Sequence, residues 1–268
     1  RIAEAVPHIV ASGVGPLLVE YLDLVSMAGI TANAGMDLGI PDDVREAALA
    51  YLVVVLEDHR PDRLEEDTQE LAALIDGLGA IDVYVLPDHA GAQLVSARER
   101  VFWAVKASGA DDIVDVVVPR ASIPDFLESV SELGTASGSL VLGCGHAGDG
   151  NVHLSVWQRD EATRQRLVGD IVAAGTSYGG AVSGEHGIGK LKRPYLTRLE
   201  DPAKLELMRR IKGAFDPYGI LNPGTVLDDR PPAAGPAPQS PTPAVGLAEG
   251  ASAPSAARAE PTASGDLR

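Results

Sequence analysis

A single cysteine, Cys144, stands in 268 residues, so the chain can close no internal disulfide. That fits a reducing compartment, and a cytoplasmic location is expected. Long apolar runs are missing too: no segment approaches the roughly 18 uninterrupted apolar residues of a membrane span. Positive charge is scarce. The 22 Lys and Arg face 38 Asp and Glu, a formal net charge of −16, which argues against nucleic acid or an anionic membrane surface as partner. A G-x-G-x-x-G turn between a strand and a helix is also lacking. Gly13-Val14-Gly15-Pro16 has neither the third glycine nor the helix, so a wound parallel dinucleotide fold is not expected. Neither an initiating Met nor a charged-then-apolar leader opens the chain at Arg1, which reads as a chain whose upstream part is missing.

What is present divides at Asp229. Residues 1–229 carry the whole of the net charge and enough apolar residues for a sizeable core. Residues 230–268 are rich in Pro, Ala, Gly, Ser and Thr, contain no aromatic residue and have cancelling charges, so a disordered tail is expected there. Within the first part, Leu17–Leu22, Tyr51–Leu56, Ile81–Leu86, Ile113–Val118, Leu140–His146 and Asn151–Trp157 read as strands. Helices are expected from Pro61 to about Asp76, from Ala90 to about Ala107 and from Ser122 to Leu133 before Gly134. Two more are expected from Asp160 to Ala174, with Gly175 past the end, and from Asp201-Pro202 to about Ala214. Strands and helices alternate irregularly, with at least one hairpin. The fold class is therefore α+β, an antiparallel sheet covered by helices.

Two glycine-rich stretches carry the chemistry. In Gly145-His146-Ala147-Gly148-Asp149-Gly150-Asn151-Val152-His153, Asp149-Gly150 is a strong hairpin-turn signal. A turn centred there pairs His146 directly with His153, Cβ atoms about 5 Å apart. Two imidazoles so placed can share one divalent ion, with Asn151 on the same face; a pair of surface histidines beside a turn is the plainer reading. Cys144 shares the parity of His146 and could reach the site, or be a small buried apolar residue. In Ser183-Gly184-Glu185-His186-Gly187-Ile188-Gly189-Lys190, bare backbone flanks a Glu-His pair. Adjacent side chains normally point apart, which suits a division of labour, Glu185 as third metal ligand and His186 as proton acceptor. The alternative is a solvated loop. Two histidines and a carboxylate with an open position suit a catalytic ion, zinc first, with manganese or iron as further candidates. The stretch Phe215-Asp216-Pro217-Tyr218-Gly219-Ile220-Leu221-Asn222-Pro223-Gly224 adds a rigid, turn-rich stop.

Taken together and in this order, these three motifs resemble the C-terminal domain of FAD-linked oxidases of the vanillyl-alcohol-oxidase-like superfamily, over about residues 1–228. The members most similar are the glycolate oxidase flavin subunit, D-lactate dehydrogenases and D-2-hydroxyglutarate dehydrogenase. The resemblance implies a ferredoxin-like substrate domain that caps a separate FAD-binding domain, supplied in cis or in trans, which would hold most of the FAD. It implies oxidation of a small 2-hydroxy acid to the 2-oxo acid, with His146, His153 and Glu185 as ligands of a divalent metal. His186 is implied as the base, Asn151 as a residue on the substrate side, and Asn222 as one near the flavin ring, where Glu185 and His186 also lie. An electron-acceptor protein is an expected partner, and any membrane association would be peripheral, through that partner.

Two departures stand out. Three residues after Trp103 the family typically has an Arg that grips the substrate carboxylate. Lys106 stands there instead, a point charge without the bidentate fork, or simply an exposed helix charge. The FAD-binding domain that precedes this one in the family is absent from the sequence. A catalytically inactive metal-binding module and a metal-dependent hydrolase using His186 as base therefore remain as alternative readings.

Overall fold

The computed structural model describes residues 2–227, and the tail expected at 230–268 lies outside the described residues. The described part centres on a five-stranded antiparallel sheet in the order β2-β1-β4-β5-β3. The strands are β1 (Leu18–Asp23), β2 (Ala50–Val55), β3 (Asp112–Val117), β4 (Leu140–His146) and β5 (Asn151–Trp157). Ten α-helices accompany them among the described residues: α1 (Ile2–Ala11), α2 (Leu24–Ala34), α3 (Asp42–Ala47), α4 (Pro61–Gly77), α5 (Asp88–Arg98), α6 (Val101–Ala107), α7 (Ile123–Ala136), α8 (Glu161–Ser177), α9 (Arg193–Leu199) and α10 (Pro202–Phe215). β3 and β4 run parallel with antiparallel β5 between them, joined through α7, which is the split β-α-β arrangement of ferredoxin-like domains.

The two faces of the sheet differ in chemistry because side chains alternate along each strand. One face presents Val19, Val114, Val116, Val152, Leu154 and Val156, all buried, against Ile123, Phe126 and Val130 of α7 and Ile171 and Val172 of α8. This is the main core. On the other face Leu22 and Cys144 pack with Met27 and Ile30 of α2 and Leu94 of α5, a smaller cluster that covers only part of the sheet. The remainder of that face carries Glu20, Asp115, Asn151 and Ser155, all buried, beside His146 and His153.

Local chemistry sets the helix ends. Asp23 and Asp160 accept hydrogen bonds from the backbone N–H of Ser26 (2.6 Å) and Thr163 (2.8 Å), capping α2 and α8, while Asp201 caps α10 through Ala203. Several expectations need correction. Ile81–Leu86 forms no strand: neither sheet edge takes it up, and Ile81 and Val85 stay exposed, because alternation without a partner strand supplies no ladder. The helix expected over 90–107 is two helices, broken at Glu99 and Arg100, because both pieces turn to pack on α2, where Gly29 closely faces Ala104. Ser122 makes no side-chain cap, and α7 runs through Gly134 to Ala136. Gly175 lies inside α8, where a Cβ would stand 2.3 Å from Val116 Cγ1; the glycine lets helix and sheet touch. Helices α2, α3 and α9 were not foreseen at all.

The β4–β5 hairpin keeps its expected strand limits but not its register. Its ladder pairs His146 with Asn151 and Cys144 with His153. The loop is thus the four residues Ala147–Gly150, of which only Gly150 has a positive φ (78°). Gly148 N–H donates to Val19 C=O, and a Cβ on Gly150 would strike Val118 C=O, so contacts to β1 and to the segment just after β3 shape the loop in place of a two-residue turn. A register shift of two preserves which face each side chain occupies. His146 and His153 are therefore diagonal neighbours, not opposite ones.

Candidate active site

The polar part of the second face is built in rows. Glu20, His146 and Asn151 come side by side on β1, β4 and β5; Leu22, Cys144, His153 and Asp115 form the next row on β1, β4, β5 and β3; Ser155 and Ile113 form the third. The imidazoles of His146 and His153 meet edge to face with centroids 5.1 Å apart. Over them lies the loop 183–189. Its Glu185 Oε1 is 3.3 Å from His146 Nε2 and 3.2 Å from His153 Nε2, and His186 stacks on His153 at 4.8 Å. Glu185 and His186 thus face the same cavity and do not point apart, contrary to expectation.

The backbone explains that arrangement. Asp115, fully buried on β3, accepts hydrogen bonds at Oδ2 from the N–H groups of Gly184 (2.8 Å), Glu185 (2.8 Å) and His186 (2.9 Å). Its other oxygen accepts from Ser183 Oγ and pairs with the Lys192 ammonium. Three consecutive amides on one carboxylate force the chain to curl, so successive side chains turn to the same side. Gly184 is required: a Cβ there would stand 2.3 Å from Asn151 Oδ1. Asn151 is accordingly buried behind the loop and does not line the cavity.

A second layer holds His146. Its Nδ1 is 2.7 Å from Glu20 Oε1, and the same oxygen is 2.8 Å from Arg98 Nη1 on α5. The hydrogen bond to buried Glu20 raises the His146 pKa above the ordinary imidazole value. With Nδ1 turned to Glu20, Nε2 is the ring nitrogen that faces Glu185. Burial, followed by the neighbouring His186 and His146, lowers the His153 pKa to about 4, so this ring is neutral near pH 7. Burial works against ionised Glu185, but the imidazoles of His146 and His153 outweigh it and hold its carboxyl below the usual range. One donor atom each from His146, His153 and Glu185 lie within 4.8 Å of one another, a set with the chemistry to hold a divalent ion.

These groups line a cavity of about 300 Å³ together with Leu22, Val101, Phe102, Val105, Ile113 and Cys144. Lys106 is exposed on α6 outside this lining, and Asn222 is exposed with φ 47° in the loop after α10. Glu20, Arg98 and Asp115 were missed by sequence reasoning. For Glu20 and Asp115 a signal existed: each is the charged residue inside an otherwise apolar strand run. Arg98 gave none. Burial, followed by the charge of Asp23, pushes the Cys144 thiol up to about 12. At pH 8 only about one thiol in ten thousand would be ionised. Iodoacetamide is therefore expected to leave Cys144 unmodified in the native protein and to label it stoichiometrically in denaturant, read by mass spectrometry; rapid native labelling would contradict this environment.

Residues 1–226 match the family of FAD linked oxidases, C-terminal domain. An uncharacterised FAD-linked oxidoreductase of Mycobacterium tuberculosis is 50% identical over 229 residues, covering 85% of this chain and 50% of that protein. A D-lactate dehydrogenase of Archaeoglobus fulgidus is 35% identical over 183 residues, 66% of this chain and 39% of that protein. Glycolate oxidase subunit GlcD of Escherichia coli K12 is 31% identical over 227 residues, 82% and 44% respectively. The chain thus spans about half the length, or less, of these relatives. Among solved structures, p-cresol methylhydroxylase with substrate bound superposes with a TM-score of 0.59 at 15% identity, over 84% of this chain and 51% of that one, a likeness of fold. Among the described residues no helix is long and apolar enough to cross a membrane.

Proposed function

Since this chain belongs to the C-terminal-domain family of FAD linked oxidases, we propose that it forms the substrate half of a flavin-dependent dehydrogenase that oxidises a 2-hydroxy acid to the 2-oxo acid. The observation that carries this reading is the convergence of Glu185 Oε1 on both imidazole Nε2 atoms, with His186 stacked beside them. Two imidazole nitrogens and a carboxylate oxygen converging on one point can share a proton or hold a cation. The donor set therefore fits a divalent metal, zinc by its N/O character. His146, His153 and Glu185 would hold it, and when bound it would polarise the substrate hydroxyl and carboxylate.

The chain's own residues do the rest. Glu20 orients the ring of His146, and Arg98 pairs with the same Glu20 oxygen. His186 accepts the hydroxyl proton, and its Nδ1 lies 3.7 Å from Asp115 Oδ1. Asp115 holds the loop so that His186 and Glu185 cannot drift apart. The cavity, near the lower end of small-ligand volumes, suits a small acid and not a dinucleotide. FAD, which accepts the hydride when bound, would be held mainly by the flavin-binding part of the protein. Asn222 is assigned to the wall near its ring, whereas Asn151, buried behind the loop, and Lys106, outside the lining, are not assigned to the substrate.

The test is anaerobic mixing of 2-hydroxy acids with the flavoprotein containing this chain and its flavin-binding part. Oxidised-flavin absorbance should bleach and a 2-oxo acid should appear in equal amount. If no 2-hydroxy acid bleaches the flavin, the reading is wrong.

A further inference from the structure

We propose that the substrate carries an uncharged apolar side chain of about four carbons or more, branched aliphatic or aromatic, in place of the methyl of lactate or a second carboxylate. This rests on the 2-hydroxy-acid reading above and adds the substrate class.

The argument starts from where the ladder places the two ends of the cavity. Donor groups occupy the row next to the β4–β5 loop and the loop 183–189 above it. One residue pair along the strands His153 sits beside Leu22 and Cys144, and one pair further Ser155 sits beside Ile113, so that away from the donors the face turns mostly apolar. Val101, Phe102 and Val105 of α6 complete that end of the lining. An acid whose hydroxyl and carboxylate sit at the histidines must direct its side chain away from them. The wall available in that direction is mostly hydrocarbon, with the Cys144 side chain and the Ser155 hydroxyl as its polar atoms.

Charge gives the second argument. Among the described residues Arg98 is the one Arg or Lys lining the cavity, and its guanidinium is already paired with Glu20 at 2.8 Å. Glu99 and Glu185 add further negative charge. A second substrate carboxylate would leave water without gaining a cation, and an unpaired charge in such a place is strongly disfavoured. Arg100 and Lys106, the cations adjacent in sequence to the apolar wall, stay outside the lining. Size agrees. A cavity of about 300 Å³ exceeds what a three-carbon acid fills, so glycolate and lactate would leave the apolar wall wet.

Each methylene buried against that wall should raise kcat/KM about fourfold. 2-Hydroxy-4-methylpentanoate and 3-phenyllactate are therefore expected to exceed lactate by ten- to hundredfold in the flavoprotein. 2-Hydroxyglutarate should rank below lactate. Calorimetric binding of the matching 2-oxo acids gives a readout separate from turnover and should follow the same order. Phe102→Arg, at a position 40% exposed, would put a cation at the apolar end and should raise the preference for 2-hydroxyglutarate over 3-phenyllactate at least tenfold. Lactate, glycolate or 2-hydroxyglutarate equalling the apolar acids, in turnover and in binding, overturns this inference and leaves the 2-hydroxy-acid reading standing. Failure of every 2-hydroxy acid to reduce the flavin overturns both.

Discussion

Alanine in place of His186 is expected to lower turnover of a 2-hydroxy acid by about 10²–10⁴-fold, the usual contribution of a positioned general base, while metal content stays near that of the unaltered protein. The reason is geometric. His186 stacks on His153 but does not belong to the set of donors that meet at one point, so its loss removes a proton acceptor and leaves the donors in place. Alanine in place of His153 should do the opposite: the ion is lost, and activity with it. Metal analysis and flavin-reduction rates on the two variants separate the roles. A His186→Ala protein with near-normal rates would strip that residue of its part in proton transfer.

The second large effect is on folding. Asp115→Ala removes the acceptor for three backbone N–H groups and strands the Lys192 ammonium, whose side chain is 15% exposed, beside an apolar methyl. Removing one partner of a buried pair costs about 3–5 kcal/mol. For a domain of this size that lowers the melting temperature by about 10 °C. Asp115→Asn, which keeps an acceptor oxygen, should lose less. Calorimetric or circular-dichroism melting distinguishes these outcomes, and a shift below about 3 °C for the alanine variant would mean that Asp115 does not anchor the loop. The same variant should bind zinc more weakly, since Glu185 rides on the segment released.

How much of this was legible in the sequence varies by element, for physical reasons. The limits of β4 and β5 coincide with the apolar runs Leu140–His146 and Asn151–Trp157, since a half-buried strand must alternate. Their register was legible only in parity. The loop conformation depends on Gly148 bonding to Val19, far away in sequence. The donor set could be read because a glycine precedes His146 and Glu185, where bare backbone marks close approach, and because His153 shares a strand face with His146. Glu20 and Asp115 act through partners more than 60 residues distant, His146 and the loop 183–186, which no local pattern encodes. α2 escaped because apolar residues surround it nearly evenly, so no helical stripe stands out in Leu24–Ala34. Ile81–Leu86 misled for the converse reason, since alternation shows that a segment could pair and not that a partner is available.

The carboxylate under the glycine loop has a consequence for amide hydrogen exchange. Residues 184–187 are exposed, and in most proteins such surface loops exchange their amide protons almost as fast as an unfolded chain. Here the N–H groups of Gly184, Glu185 and His186 point inward to one fully buried oxygen. Their protons can reach solvent only when the loop lifts off β3. These three amides should therefore exchange together, at one shared opening rate closer to that of the strand beneath than to that of Lys190 beside them. In Asp115→Ala they should exchange at the rate of free chain.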